Sequence, residues 1–134
     1  MFRFLFIAFI LTITTAVSGQ ELGKINNGKH SLKLMKNAHE FSLIYSDISD
    51  DEALEKSFNF IDINKLYNIL IDGFNEKDHQ VYIQANRDTI IKLSYRRMKG
   101  EWMVMIKQDN MDTNTKGHST FFSKESIEEL FSRP

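Results

Sequence analysis

Residues 57–74 read Ser57-Phe-Asn-Phe-Ile-Asp-Ile-Asn-Lys-Leu-Tyr-Asn-Ile-Leu-Ile-Asp-Gly-Phe74. The alternation of Phe58 and Phe60 predicts a short strand, because successive side chains of a strand point to opposite faces. After Asp62 the apolar spacing changes to that of one face of a helix, and the Asp62 carboxylate can accept a hydrogen bond from a free amide of the first turn. The apolar positions of this predicted helix are Ile63, Leu66, Tyr67, Leu70 and Phe74.

Two more alternating runs precede this stretch. They predict a β-hairpin, because each run places its apolar residues two positions apart. The alternating residues are Leu32 and Leu34 in the first run, then Phe41, Leu43 and Tyr45 in the second. Between the hairpin and Phe58, the sequence Ser49-Asp-Asp-Glu52 has the pattern of a capping box, which predicts one or two helical turns through Lys56.

The residues after Phe74 predict an antiparallel meander and a second helix. Three alternating runs, centred on Ile83, Leu93 and Val104, are separated by turns at 86–88 and 99–100. A polar loop is predicted over 109–118 and a short strand at Phe121-Phe122. Ser123 is a predicted helix N-cap, and the inward positions of that final helix are Ile127, Leu130 and Phe131.

The two halves of the chain match at an offset of 61 residues. Leu32 falls on Leu93, and the predicted cap Asp62 falls on Ser123. A strand-strand-strand-helix unit is therefore predicted twice, over 22–73 and 83–134, either as a true duplication or as two units whose loops happen to match. The predicted fold is one α+β domain over 20–134, with an antiparallel sheet and two main helices on one face.

Residues 1–19 have the pattern of a secretory signal peptide. Arg3 precedes an apolar run from Phe4 to Leu11, and small residues follow at Ala16-Val-Ser-Gly19. The run is shorter than the roughly 20 residues that span a bilayer. We therefore expect cleavage near residue 19, export to the periplasm or the medium, and no integral membrane segment afterwards.

The composition excludes several classes of protein. The 134 residues include no Cys and one Pro, and the formal net charge is −1. Without Cys the chain can form neither a disulfide scaffold nor a thiolate metal site, and it has no thiol nucleophile. No cofactor is expected.

Four blocks carry a resemblance to known sequences. They are Ser57-Phe-x-Phe60, the run from Leu66 to Phe74, Asp88-Thr-Ile-Ile-x-Leu93, and Ser123-Lys-Glu-x-Ile127-x-x-Leu-Phe131. In these blocks the chain resembles short exported proteins of flavobacterial type that have no assigned activity. The resemblance implies an exported location and supplies no catalytic residues.

The order of predicted elements resembles, in topology only, the duplicated units of PUR and whirly nucleic-acid-binding domains. Those domains use basic sheets with stacking aromatic side chains. This chain is slightly acidic and predicted to be exported. Nucleic acid is therefore not an expected partner.

The strand Trp102-Met-Val-Met-Ile106 is apolar at every position. If Trp102, Val104 and Ile106 face the helices, Met103 and Met105 point to the other side of the sheet, where an apolar patch is typical of a binding surface. The predicted binding residues are Met103, Met105, Ile44 by the 61-residue offset, Tyr82, and Arg96 at the adjoining turn. The alternative is that the 109–118 segment or curvature of the sheet buries the patch.

These observations predict a small exported, non-enzymatic binding protein for a protein partner or an extended ligand, with an inhibitor or immunity-type protein as one specific form. The alternative is a small envelope hydrolase or metal-dependent enzyme that uses His30 and His39, facing each other across the first hairpin, with the acidic residues of 47–52.

The loop Asn110-x-Asp112-x-Asn114 lacks the Gly and the final Glu of a calcium loop, so we predict a polar turn there.

Overall fold

The computed structural model describes residues 19–49, 54–76, 80–85 and 88–132. In these residues the chain forms two antiparallel sheets and two helices, which confirms the predicted α+β class. Neither helix is long and apolar enough to cross a membrane, and the longer one has 11 residues. The predicted signal peptide lies outside the described residues except for Gly19.

The first sheet has four strands that pair in chain order, and a helix follows it. The elements are β1 (Gln20–Asn27), β2 (His30–Lys36), β3 (Phe41–Ser46), β4 (Glu55–Phe60) and helix α1 (Ile63–Gly73). The predicted hairpin corresponds to β2 and β3, with Leu34 opposite Leu43. Strand β1 was not predicted, because Ile25 is its one buried residue and the strand shows no apolar alternation.

The second sheet repeats this order, with one strand interrupted. Its elements are β5 (Gln80–Gln84), β6 (Thr89–Met98), β7 (Glu101–Asn110), β8 (Thr115–His118), β9 (Phe122–Ser123) and helix α2 (Lys124–Leu130). Both β8 and β9 pair with β7. Between them Ser119 keeps the chain attached to β7, because its Oγ accepts a hydrogen bond from the Ile106 amide at 3.0 Å.

Two local predictions were wrong. Glu55 and Lys56 lie in β4 rather than in a helical turn, and the Ser49 amide donates to Asp47 at 3.0 Å; residues 50–53 lie outside the described part. The segment 109–118 is not one long loop, since β7 extends to Asn110 and β8 begins at Thr115. Both strands have polar residues on their exposed side here, which concealed them in the sequence.

The two predicted helix caps are confirmed. Asp62 Oδ1 accepts from the Lys65 amide at 3.0 Å, and Ser123 Oγ accepts from the Ser126 amide at 3.1 Å. Each cap satisfies one of the amides that a helix start leaves free, a contribution of about 1 kcal/mol.

Each helix contacts a strand of the other half. The Tyr95 hydroxyl on β6 donates to the Leu70 carbonyl of α1 at 2.6 Å. Gly73 lies directly against the Tyr95 ring, where a Cβ atom would come within 2.1 Å of the ring. In the same way Gly23 of β1 lies against the Leu130 carbonyl of α2. The inner faces of both sheets and both helices therefore share one hydrophobic core.

The 61-residue offset places β2 on β6 and β3 on β7. Leu32 and Leu93 are both buried, and so are Leu43 and Val104. The order of elements thus occurs twice. The origin of the halves by duplication stays a prediction.

Candidate binding face on the second sheet

Four of the five predicted binding residues lie together on the side of the second sheet that points away from the core, which we call the outer face. They are Tyr82 on β5, Arg96 on β6, and Met103 and Met105 on β7. The fifth, Ile44, lies on β3 of the first sheet, at the position that the offset equates with Met105. The structure therefore brings four of these residues together and separates Ile44 from them.

The two methionines are half-buried, whereas Tyr82 is 64% exposed. Strand β8 pairs with residues 107–110 of β7, so the 115–118 segment extends the sheet beyond the methionines and does not fold over them. Arg96 lies directly opposite Met103, and its guanidinium is 5.7 Å from the centroid of the Phe121 ring. Met103 and Met105 thus form a partly accessible apolar strip with a cation and an aromatic ring at one end.

A row of four residues crosses the outer face at right angles to the strands. Tyr82 is opposite Lys92, Lys92 is opposite Lys107, and Lys107 is opposite His118. Residues directly opposite in an antiparallel pair share a face, with Cβ atoms about 5 Å apart. We call these four residues the basic row.

The basic row concentrates positive charge that the described residues do not neutralise. No carboxylate among them forms an ion pair with Lys92 or Lys107. Like charges directly opposite in a sheet destabilise it, by about 0.2–1 kcal/mol for such a pair. The Lys92 ammonium lies 6.0 Å from the Tyr82 ring centroid, at the outer limit of a cation–π contact. In the neighbouring row, by contrast, Asp109 lies opposite Lys116.

Two hollows adjoin the basic row. The first has a volume of about 310 Å³ and is lined by Tyr82, Ile90, Lys92, Lys107 and Asp109. The second has a volume of about 350 Å³, and its lining includes Lys92, Ser94, Arg96, Met105 and Phe121. Lys92 lines both hollows and therefore stands between them.

A buried carboxylate fixes one end of the basic row to the first sheet. Asp47 is 0% exposed, and its Oδ1 accepts hydrogen bonds from the Ser49 amide, the Ser49 hydroxyl and the His118 amide. Its Oδ2 lies 2.7 Å from the Lys56 ammonium. The Ile48 amide donates in turn to the His118 carbonyl at 3.0 Å. The His118 backbone is therefore held from both sides.

The Asp47 carboxyl remains charged in this interior position. Burial by itself raises its pKa, but the Lys56 ammonium and the Ser49 and His118 donors together hold the pKa well below its usual range. Gly117 makes room for the carboxylate, since a Cβ atom there would lie 2.9 Å from Asp47 Oδ2. Asp47, one of the acidic residues that the enzyme alternative would use, is thus a connection between the sheets.

Three further hydrogen bonds tie the halves together behind the outer face. The Tyr45 hydroxyl donates to Gln108 Oε1 at 2.7 Å, and the Gln108 side-chain Nε2 donates to the Ser57 carbonyl at 3.1 Å. Burial, with the Asp47 charge nearby, raises the pKa of Tyr45, so its hydroxyl stays protonated. The Asn27 side-chain Nδ2 donates to the Phe121 carbonyl at 2.7 Å. These bonds give the outer face a fixed support.

The geometry does not favour the alternative of a metal-dependent enzyme. The prediction that His30 and His39 face each other was wrong, because His30 begins β2 opposite Asn27 and His39 lies in the turn beyond Lys36, about 20 Å along the strand. Within the described residues no three His, Cys, Asp or Glu side chains form a group that could hold a metal ion.

The Asn110 loop closes as the predicted polar turn. Its side-chain oxygen accepts hydrogen bonds from the Asp112 and Thr113 amides at 3.0 and 3.1 Å. Asn114 has a positive φ of 56°, a conformation that Asn tolerates in turns. The polar residues of this loop are therefore explained by the connection between β7 and β8.

Comparisons of the chain with protein-family models, with curated proteins and with solved structures found no match. The resemblance to exported proteins of flavobacterial type therefore stays a prediction.

Proposed function

We propose that this protein is an exported binding protein that holds a partner on the outer face of the second sheet. The observation that carries the proposal is the basic row: Lys92 and Lys107 lie opposite each other with no ion-paired carboxylate among the described residues, next to two hollows and beside an exposed tyrosine. Lysines also lie opposite each other at Lys24 and Lys33 of the first sheet, so what distinguishes the basic row is its position beside the hollows and the exposed Tyr82. Local arrangements that cost stability are expected at functional sites.

The residue types on the outer face support a binding role. Tyrosine, methionine and arginine are enriched in protein interfaces, and tyrosine and arginine often dominate their energetics. Tyr82, Arg96, Met103 and Met105 supply all three types within one face. Export is supported by the leader-like pattern of residues 1–19.

The hydrogen bonds that hold the borders of the outer face also favour a binding role. Asp47 fixes the His118 backbone, and Asn27 fixes the Phe121 backbone, so both borders of the outer face are held by the first half of the chain. A surface that is already ordered loses less conformational entropy when a partner docks. An inhibitor or immunity-type protein is a specific form of this proposal.

The proposal can be tested by site-specific photocrosslinking in the organism that makes the protein. A benzophenone amino acid is placed at Met105 in one variant and at Ile44, the matched outward position of the first sheet, in another. We expect a discrete adduct from position 105 and none from position 44. An excess of unlabelled wild-type chain should suppress the adduct, while an excess of the Met103→Lys, Met105→Lys double variant should not.

Equal adducts from both positions would contradict the proposal, as would an adduct that the double variant suppresses as well as the wild type does. The double variant must first show a wild-type near-ultraviolet circular dichroism spectrum. If it does not fold, Tyr82→Ala takes its place, since that side chain is 64% exposed.

A further inference from the structure

We propose that the occupant of the outer face is an acidic segment of a partner protein in extended conformation, with one carboxylate at the Lys92–Lys107 pair and the next at Arg96. This inference rests on the proposed function and gives the chemistry of the partner. It follows from the charge, the spacing and the residue types of the outer face.

The charge of the outer face differs from that of the whole chain. The chain has a net charge of −1, yet the centre of this face presents Lys92 and Lys107 side by side, with Arg96 further along β6. Asp109 lines the first hollow together with Lys92 and Lys107, but it forms an ion pair with neither lysine. Charges on one face act over about 8–10 Å at moderate salt, so an acidic partner would be steered to this side of the molecule.

The spacing suits an extended peptide. Lys92 and Arg96 are four residues apart on β6, which corresponds to about 13 Å. An extended segment presents side chains of one face about every 6.6 Å, so acidic residues at positions i and i+4 would match the two cations. The residue at i+2 would then lie over Ser94 and Met105, which are directly opposite each other. An apolar residue at i+2 fits the methionine.

The residue types favour a protein over a nucleic acid. Proteins that bind single-stranded nucleic acids stack successive bases on several aromatic side chains along a basic groove. Here the apolar residues Met103 and Met105 lie along β7 opposite the stretch of β6 between Lys92 and Arg96, and Tyr82 is the exposed aromatic residue of the basic row. Methionine and arginine beside tyrosine are typical of protein interfaces.

The test uses fluorescein-labelled peptides with the repeat Glu-Thr-Leu-Thr and the same peptides with Gln in place of Glu. Fluorescence anisotropy measures their affinity for the purified chain at low and at physiological salt. We expect the Glu peptide to bind about tenfold more tightly than the Gln peptide, the effect of two partly exposed ion pairs, and to weaken as salt increases.

The first sheet offers a matched control, because Lys24 and Lys33 are also directly opposite each other there. The Lys92→Gln, Lys107→Gln variant should lose about tenfold in affinity for the Glu peptide, whereas Lys24→Gln, Lys33→Gln should change it by less than about twofold. Far-ultraviolet circular dichroism confirms that both variants are folded.

The inference would be overturned if the Glu peptide shows no saturable binding at low salt, or if both double variants lose the same affinity for it. It would also be overturned if an oligothymidylate of equal charge binds more tightly than the Glu peptide and is not displaced by it. If the photocrosslinked partner still binds Lys92→Gln, Lys107→Gln as tightly as the wild type, this inference fails and the proposed function stands. If position 105 gives no specific adduct, the proposed function fails first.

Discussion

Replacing Asp47 by Asn tests how much the buried Asp47–Lys56 ion pair, next to the contact between the two sheets, stabilises the fold. The Asn oxygen can still accept hydrogen bonds from Ser49 and His118, but the uncharged amide no longer pairs with the Lys56 ammonium, which lies 2.7 Å from Oδ2 in the wild type. Removing one partner of a buried ion pair costs about 3–5 kcal/mol. Because the Lys56 side chain is 26% exposed and can regain water, we expect a smaller loss, about 2–3 kcal/mol.

Urea denaturation at pH 7 measures this loss as the difference in the free energy of unfolding between Asp47→Asn and the wild type. A matched control is Asp112→Asn, because Asp112 is an exposed carboxylate in the turn before β8. That substitution should change the free energy of unfolding by less than about 0.5 kcal/mol. A loss below about 0.5 kcal/mol for Asp47→Asn would refute the idea that the buried Asp47–Lys56 ion pair stabilises the fold.

The difference in the free energy of unfolding between the wild type and Asp47→Asn should become smaller at low pH. The Asp47 pKa is lower in the folded protein than in the unfolded chain, so its contribution is fully present above the unfolded pKa of about 3.9 and is lost as the pH falls toward the folded pKa. The gap between wild type and Asp47→Asn should therefore shrink progressively below about pH 4. A gap that stays constant down to about pH 2 would show that the charge of Asp47 contributes nothing.

Three further substitutions test other parts of the account. Gly73→Ala should destabilise the protein by about 1–3 kcal/mol in urea, because the new methyl group would meet the Tyr95 ring, and an unchanged midpoint would contradict this packing. Lys107→Gln should leave the free energy of unfolding unchanged or raise it by up to about 1 kcal/mol, since it removes the repulsion with Lys92; a clear loss would show that the pair is stabilising. Lys99 has a φ of +53°, which glycine adopts more easily than other residues, so Lys99→Gly should stabilise the fold by about 0.5–1 kcal/mol and raise the thermal midpoint slightly. A lower midpoint would show that the Lys99 side chain stabilises the turn.

The elements that the sequence predicted correctly have local signals. Asp62 and Ser123 are caps whose hydrogen bonds span three residues, and the hairpin of β2 and β3 has a clear apolar alternation. Strands β1 and β8 lack that signal. Most residues of β1 are exposed, and β8 is fixed by Asp47, which is 71 residues away from His118 in the chain.

The basic row was missed because single-residue patterns do not reveal which residues lie opposite each other. The turn at residues 99–100 nevertheless fixes the register of β6 against β7. Lys99 and Gly100 both have positive φ, as in a two-residue hairpin turn, and this turn places Met98 opposite Glu101. Counting back along β6 and forward along β7 from that pair gives Lys92 opposite Lys107.

Ile44 was grouped with Met105 because the offset equates them, but equivalent positions of two halves lie on different sheets here. The offset identifies residues with the same role within each half. It does not show which residues share a surface, and this is why Ile44 now serves as the control position for Met105.

If a partner binds the outer face of the second sheet, NMR can map the contact residue by residue. Once crosslinking has identified the partner, the chain labelled with ¹⁵N and with ¹³C in its methionine methyl groups can be titrated with it and followed by NMR. We expect the largest changes at the Met103 and Met105 methyl groups and at the amides of residues 80–84 and 92–96, with β1 to β3 unchanged. Changes confined to the first sheet would contradict the account.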